Sequence, residues 1–176
     1  MVLIIALWGL LFHHWQSLGL PENWQEPIHF LAFSWLVVLL YLSHSNRDFN
    51  ASRRETDRFY VTAVIPVYNE DATTFKQMLR SLESQTRTPD MIYIVDDGSK
   101  SLECKNAFKE WKQTTKLEAH YHYKSNNGKR EAQAVAFRGT PQTDIYVTID
   151  SDTVLDYRAI EQGIKPFATS RVMSVA

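Results

Sequence analysis

Four short apolar segments that alternate with helical patterns constrain the fold of this chain more than any other feature. The segments at 59–68, 91–99, 119–123 and 144–150 are rich in β-branched and aromatic residues, which is typical of buried strands. Between and after them, apolar side chains recur at spacings of three and four residues, which indicates helices. This order predicts an α/β fold built on a mainly parallel, Rossmann-like sheet.

Local signals refine the boundaries of these elements. Pro66 is expected to end the first strand, and Asn69 or Asp71 is expected to cap the helix that follows it. Gly139 is expected to cap the third helix at its C-terminus. Residues 171–176 are expected to begin a fifth strand.

Polar and charged side chains concentrate where the predicted strands end and where the third helix begins. Taken singly, each group is compatible with an ordinary turn. Because ligands bind beyond the carboxyl ends of the strands in open parallel sheets, the repeated placement predicts one shared site. The candidate site residues are Tyr68, Asn69, Glu70, Asp96, Asp97, Lys129, Arg130, Asp150 and Asp152.

The residue types at these junctions favour a nucleotide-diphosphate ligand. Asp150 and Asp152 offer hard carboxylate oxygens, which suit Mg²⁺ or Mn²⁺ together with substrate phosphates. The basic pair at 129–130 opens a helix, where positive charge and free backbone N–H groups suit a phosphate. The acids at 96–97 can accept hydrogen bonds from a base N–H or from ribose hydroxyls. Neither G-x-G-x-x-G nor a P-loop is present, which argues against the usual dehydrogenases and kinases.

Charge and cysteine content exclude other classes of function. The net charge is −1, so the composition gives no indication of a nucleic-acid surface. Cys104 is the single cysteine, so it cannot form an internal disulfide. No Cys/His spacing indicates zinc, and Cys104 is interpreted as a small apolar residue on a helix.

The apolar runs and the charge distribution of the N-terminal third indicate a membrane-associated segment. Residues 1–12 and 28–42 are apolar, and no Lys or Arg precedes Arg47, whereas several follow it closely. A helix needs about 20 residues to cross a bilayer core, so both runs are short. The positive-inside rule predicts a transmembrane hairpin with both ends cytoplasmic. A buried or interfacial helix is the alternative for 28–42, and a secretory signal for 1–20 lacks its basic start.

These observations predict three regions. Residues 1–46 form the membrane hairpin, residues 47–58 form a basic juxtamembrane linker, and residues 59–176 form a cytoplasmic donor-binding domain. The expected location is therefore a plasma or inner membrane, with several membrane passes. The expected partners are a lipid bilayer and a nucleotide ligand, without nucleic acid.

Four motifs, in order, resemble the donor half of processive glycosyltransferases of family 2. They are VIPVYNE, IYIVDDGS, NNGKREAQA and VTIDSDT, within residues 59–176. Among the members of the family, hyaluronan synthases and nodulation-type chitooligosaccharide synthases are most similar, and the apolar N-terminal runs match as well. The resemblance implies a GT-A-type nucleotide-diphospho-sugar transferase fold, a UDP-sugar donor, UDP-N-acetylglucosamine as the first choice, and polysaccharide synthesis by an inverting, membrane-bound hexosyltransferase.

The resemblance also implies a role for each candidate residue. Residues 68–70 would line the nucleotide pocket, and residues 96–97 would lie at the uracil and ribose. Residues 129–130 would lie near the diphosphate or the donor sugar. Asp152 would be the direct ligand of Mg²⁺ or Mn²⁺, with Asp150 near the ribose or the metal.

The family pattern continues beyond the motifs that this sequence contains. A catalytic Asp base, a Q-x-x-R-W motif and further membrane helices follow the DxD in the family, so the base is expected beyond Ala176. The chain is therefore expected to be an N-terminal piece of a synthase, without the site for the growing glycan acceptor. The alternatives are a catalytically incomplete donor-binding or assembly module, a transferase that moves one sugar to a lipid, and a structural protein without a ligand.

Overall fold

The computed structural model describes residues 25–44, 51–169 and 172–175. The chain divides into two compact units, Met1–Asp48 and Phe49–Ala176. The apolar run at 1–12 and most of the loop that follows it lie outside the described residues. The predicted hairpin is therefore described only in its second half.

In the first unit, helix α1 spans Gln25–His44 and includes the apolar run predicted at 28–42. Nearly all of its large apolar side chains between residues 31 and 42 are exposed, namely Leu31, Phe33, Trp35, Leu36, Val37, Leu39, Leu40, Tyr41 and Leu42. Among the helices that the structure describes, none has the length and apolarity required to cross a membrane.

The second unit alternates strands and helices in the predicted order. Its elements are α2 (Arg53–Thr56), β1 (Val61–Val67), α3 (Ala72–Glu83), β2 (Met91–Asp96), α4 (Glu103–Lys112), β3 (Ala119–Tyr123), α5 (Lys129–Gly139), β4 (Ile145–Thr148), α6 (Ala159–Ile164) and a 3₁₀ turn at Lys165–Ala168. The four predicted strands are therefore confirmed. The predicted fifth strand is wrong for residues 172–175, which have no regular structure.

The four strands form one fully parallel sheet in the order β3-β2-β1-β4. The chain moves outward from β1 through β2 to β3, then returns so that β4 pairs with the other side of β1. The strand order therefore reverses at β1. Val64 and Thr148 form the last pair between β1 and β4, whereas β1 pairs with β2 as far as Val67 and Asp96. The reversal opens a crevice at the carboxyl edge of the sheet, where such folds bind ligands.

Apolar side chains cover both faces of the sheet. On one face, α3, α4 and α6 bury a large core, in which the four residues that predicted α3 are fully inaccessible: Phe75, Met78, Leu79 and Leu82. Burial of a side chain of this size contributes about 1.5–3 kcal/mol to the stability of the fold. On the other face, α5 packs Ala132 and Ala136 against Val64 and Val95. The two small alanines allow α5 to lie close to β1 and β2, which fixes the start of α5 beside the crevice.

The predicted caps and breaks have mixed outcomes. Asp71 caps α3, because its side chain accepts a hydrogen bond from the Thr74 backbone N–H at 2.8 Å. Gly139 is the last residue of α5 and has no positive φ, so its prediction as a C-terminal cap is wrong. A Cβ there would lie 2.9 Å from the Tyr93 hydroxyl, and this close approach explains the glycine.

Pro66 does not end β1, which continues to Val67. The proline lies beyond the last pair between β1 and β4, where a backbone N–H directed at β4 would have no partner in the ladder. It therefore marks the point at which the two strands diverge.

Candidate functional site

A cavity of about 480 Å³ lies at the carboxyl edge of the sheet, where β1 and β4 diverge. This volume is within the range of about 300–1,000 Å³ that is usual for ligand pockets. Residues from the ends of β1, β2 and β4 and from the start of α5 form its walls. Of the nine candidate residues, the cavity includes Tyr68, Glu70, Asp97, Lys129, Asp150 and Asp152. Asn69, Asp96 and Arg130 do not line it.

At the end of β2, the carboxylate of Asp97 organises the loop between β3 and α5. It accepts hydrogen bonds from the backbone N–H groups of Asn127, at 3.0 Å, and Gly128, at 2.7 Å. It also forms an ion pair with the ammonium group of Lys124. Burial raises the pKa of Asp97, but the hydrogen bonds from Lys124, Asn127 and Gly128 together lower that pKa below its ordinary value. Asp97 is therefore a buried anion whose partners are already in place.

Asp96 points away from the cavity. One of its carboxylate oxygens accepts the Ser99 backbone N–H at 2.8 Å, and the other accepts the Tyr121 hydroxyl at 2.6 Å. Burial and the hydrogen bond to Asp96 raise the pKa of Tyr121. Asp96 therefore connects the turn after β2 to the neighbouring strand β3, and these contacts stabilise the fold.

Gly98 allows this turn to lie close to the loop before α5. Its φ is +81°, and a Cβ at this position would lie 2.7 Å from the backbone nitrogen of Asn126. A side chain would meet both a steric clash and an unfavourable backbone conformation. The DDG sequence is thus explained by one buried acid that binds the loop, one that binds β3, and a glycine that makes room for the loop.

The loop after β1 contains three candidate residues in different environments. Tyr68 is exposed and lines the cavity. Asn69 has a φ of +50°, and its amide oxygen accepts the Lys100 backbone N–H at 2.9 Å, while its own N–H donates to the Ser99 hydroxyl at 3.0 Å. It therefore joins the β1 and β2 loops. The Glu70 carboxylate lines the cavity and accepts the Ser151 hydroxyl at 2.9 Å.

The segment Asp150-Ser151-Asp152, here called the DxD corner, follows β4 on the far side of the cavity. Lys129, the first residue of α5, extends to the Asp150 carboxylate at 2.5 Å. Both side chains are more than half exposed, so this ion pair contributes little to stability. Within the described part of the chain, the exposed carboxylate of Asp152 has no hydrogen-bond or ion-pair partner.

The donor atoms of the DxD corner fit a divalent cation that is shared with a ligand. Across the residues that the structure describes, no group of three or more His, Cys, Asp or Glu side chains could hold a metal alone. Mg²⁺ and Mn²⁺ sites with one or two carboxylates usually complete their coordination with phosphate oxygens and water. Asp150 and Asp152 could supply such a pair of carboxylates from the wall of the cavity.

Two residues at the site were not among the sequence candidates. Lys124 is the cationic partner of Asp97, and only 13% of its side chain is exposed. Its position one residue after a predicted strand is a signal that could have identified it. Ser151 lies between the two acids, and it is buried and bonded to Glu70. Arg130 is exposed and lies outside the cavity.

Two solved structures have a similar fold. The mannosyltransferase PcManGT from Pyrobaculum calidifontis, in complex with GDP-Man and Mn²⁺, matches with a TM-score of 0.63 and 23% identity, over 82% of this chain and 44% of that protein. GalNAc-T7 with UDP, GalNAc and Mn²⁺ matches with a TM-score of 0.55 and 16% identity, over 64% of this chain and 22% of that one. The second unit thus has the GT-A-like α/β fold of a glycosyltransferase.

Sequence comparison identifies the family. The model of the family described as glycosyl transferase family 2 matches residues 62–176. The hyaluronan synthase of Streptococcus pyogenes serotype M3 is 35% identical over 141 residues, which cover 78% of this chain and 33% of that protein. The N-acetylglucosaminyltransferase of Azorhizobium caulinodans is 33% identical over 97 residues, or 54% of this chain and 24% of its own length.

This chain belongs to glycosyltransferase family 2. The predicted resemblance is therefore confirmed at the level of the family and of its hyaluronan synthase-like members. The chain spans about a third of the length of the hyaluronan synthases that it matches.

Proposed function

We propose that this chain binds a UDP-sugar, with UDP-N-acetylglucosamine the first choice, together with Mg²⁺ or Mn²⁺, as the donor-binding part of a membrane-bound inverting synthase that makes a hyaluronan- or chitin-like polysaccharide. The observation that carries the proposal is the single cavity wall formed by Asp97, Lys129, Asp150 and Asp152 at the point where the strand order reverses. The names of the relatives, hyaluronan synthase and N-acetylglucosaminyltransferase, support the choice of sugar.

The nucleoside is proposed to lie toward β1 and β2. Tyr68 presents an exposed aromatic ring there, which suits stacking on a flat base. Asp97 holds Asn127 and Gly128 in place, so the loop that faces the nucleoside is ordered before the ligand arrives. A wall that is already ordered lowers the entropic cost of binding.

The diphosphate is proposed to lie between Lys129 and the DxD corner. The cavity wall contains the acids Glu70, Asp97, Asp150 and Asp152, so a diphosphate could not approach it without added positive charge. A divalent ion held by Asp150 and Asp152 supplies that charge and stabilises the leaving diphosphate. Lys129 lies beside Asp150 and can turn to a phosphate oxygen, because its side chain is more than half exposed.

Attachment to a membrane, with the second unit on the cytoplasmic side, is part of the proposal. The exposed apolar side chains along α1 support it, since water contact with so many of them is unfavourable. Extraction of membranes with alkaline carbonate tests the attachment: the full chain should stay in the pellet. Recovery in the supernatant would contradict it.

Calorimetric titration of the full chain with UDP tests donor binding. We expect binding in Mn²⁺ that is much weaker in EDTA, because the diphosphate needs the cation. UDP should compete with UDP-N-acetylglucosamine, whereas GDP should bind less well. Equal affinity with and without Mn²⁺ would contradict the proposed metal role.

Incubation with radiolabelled UDP-N-acetylglucosamine and Mn²⁺ then separates an active transferase from a donor-binding module. Release of UDP together with labelled glycan would indicate transfer. Binding of UDP without transfer or hydrolysis would favour the donor-binding module for this length of chain.

A further inference from the structure

Ser151 differs from both of its neighbours in the DxD corner. It is 7% exposed, whereas Asp150 and Asp152 are exposed on either side of it. Its hydroxyl donates a hydrogen bond of 2.9 Å to the Glu70 carboxylate, which belongs to the loop after β1. The bond therefore connects the two strand ends that diverge at the cavity. A middle residue held inward leaves the two flanking carboxylates on the cavity side.

Glu70 is itself held in place by the surrounding chain. Its other carboxylate oxygen accepts the Asp71 backbone N–H at 3.1 Å, next to the cap of α3. Its carbonyl oxygen accepts the thiol of Cys104 on α4, with 3.3 Å between sulfur and oxygen. Burial and the nearby charges of Glu70 and Asp96 raise the pKa of the Cys104 thiol to about 11, so the thiol remains protonated and can donate.

We propose that Glu70 is a positioning residue, which fixes the DxD corner through the Ser151 hydroxyl. The inference rests on the proposed donor site and gives Glu70 a role other than contact with the nucleotide. An acid that faced a diphosphate directly would repel it. An acid bonded to Ser151 and Asp71 has its oxygens engaged and orders the segment that carries the metal ligands.

This role predicts an effect on one part of the ligand. Loss of the bond between Glu70 and Ser151 should loosen Asp150 and Asp152, and so weaken the metal-dependent part of UDP binding. Uridine binding without metal should change little, because the Asp97 loop does not depend on this bond. A general loss of folding would lower both affinities.

A double-mutant cycle in the full chain tests the proposal. We expect Glu70→Ala and Ser151→Ala each to weaken UDP binding in Mn²⁺ about tenfold, and the double variant to weaken it no further, because both remove the same bond. Glu70→Gln should restore most of the affinity, since its amide oxygen can still accept the Ser151 hydroxyl. Thr140→Val is the matched control, because it removes a buried hydroxyl whose partners are the Ala136 carbonyl and the Tyr146 hydroxyl, outside the DxD corner.

Hydrogen exchange at the DxD corner gives a second measurement that needs no nucleotide. The Thr153 backbone N–H donates to the Asp150 carbonyl at 3.1 Å and closes this corner. Its exchange should become at least about tenfold faster in Glu70→Ala and in Ser151→Ala, and remain unchanged in Thr140→Val.

The two measurements separate the possible failures. Additive losses of UDP affinity in the cycle would overturn the positioning role and assign Glu70 a direct contact with the ligand. Absence of UDP binding in the unmutated chain would defeat the proposed function; exchange at Thr153 would then decide the positioning role alone, and unchanged exchange in both single variants would overturn it.

Discussion

Two pairs of aspartates lie at the carboxyl ends of β2 and β4, the strands on either side of β1, and their environments are opposite. At the end of β2, Asp96 and Asp97 are 2% and 3% exposed, and every carboxylate oxygen accepts at least one hydrogen bond. At the end of β4, the Asp150 side chain is 57% exposed and Asp152 is also exposed. The first pair is bound to the protein, and the second is available to a ligand.

The difference shows that an acid at a strand end has no fixed role. Buried carboxylates must be paired, because an isolated charge in the interior is very costly. Asp97 meets that requirement with Lys124 and two backbone N–H groups, and in doing so it builds the wall of the cavity. Exposed carboxylates have no such requirement, so Asp150 and Asp152 can exchange a weak ion pair or water for a cation.

Replacement of the buried acid should have the largest effect on stability. Asp97→Ala leaves Lys124 and two backbone N–H groups without their partner, and breaking a buried ion pair costs about 3–5 kcal/mol. We expect a loss near the lower end of that range, since Lys124 also donates to the Ser125 carbonyl. Urea unfolding measures the loss, and Asp152→Ala is the matched control. Equal stability of the two variants would contradict the distinction between the buried acids after β2 and the exposed acids after β4.

Gly98→Ala should have the next largest effect. The positive φ and the approach of 2.7 Å to the Asn126 nitrogen should together cost about 2 kcal/mol and shift the loop before α5. Gly163→Ala in α6 is the control, because its Cβ would meet nothing within 4 Å; we expect it to stabilise the helix by about 0.5–1 kcal/mol. If Gly98→Ala unfolds at the same urea concentration as the unmutated chain, the close packing of the two loops is wrong.

The pH dependence of stability that Asp97 causes should be a smaller effect. Its pKa is lowered in the folded chain, so its stabilising effect is present above the ordinary Asp pKa of about 4 and is lost as the pH falls below it. The difference in unfolding free energy between the unmutated chain and Asp97→Asn should therefore shrink between pH 5 and strongly acidic pH. Urea unfolding at a series of pH values measures it. A difference that is constant with pH would contradict the assignment.

Asp152→Ala should have the smallest effect on folding and a large one on the ligand. Exposed positions usually change stability by less than about 0.5 kcal/mol. Its UDP affinity should become insensitive to Mn²⁺, because one of two carboxylates of the proposed metal site is lost. Calorimetry in Mn²⁺ and in EDTA separates the two contributions. If UDP affinity still depended on Mn²⁺, the proposed placement of the metal at the DxD corner would be contradicted.

Much of the fold could be predicted because periodic apolar patterns record which face of each element is buried. The four strands, the burial of Phe75 and Met78, and the cap at Asp71 follow from local rules. The reason for Gly139 could not be predicted, since it depends on Tyr93 from a strand far away in sequence.

The candidate site was predicted as a location more reliably than as a set of roles. The end of the predicted strand places Asp96 and Asp97 at the same edge of the sheet. Successive side chains point in different directions, so Asp96 contacts β3 and Asp97 lines the cavity. The bond between Ser151 and Glu70 joins residues 81 positions apart, and no local pattern contains it. The division at residues 46 and 58, and the ligand role of each candidate, stay predictions.

The most direct test of the central claim is an amide NMR titration of the full chain with UDP and Mg²⁺. One ligand that contacts both the nucleoside side of the cavity and the DxD corner should shift the amide signals of Tyr68, Asn127 and Gly128 together with those of Asp150 and Asp152. All these shifts should saturate at the same ligand concentration. Shifts confined to one of these two regions, or shifts that saturate at different concentrations, would contradict a single donor site across the crevice.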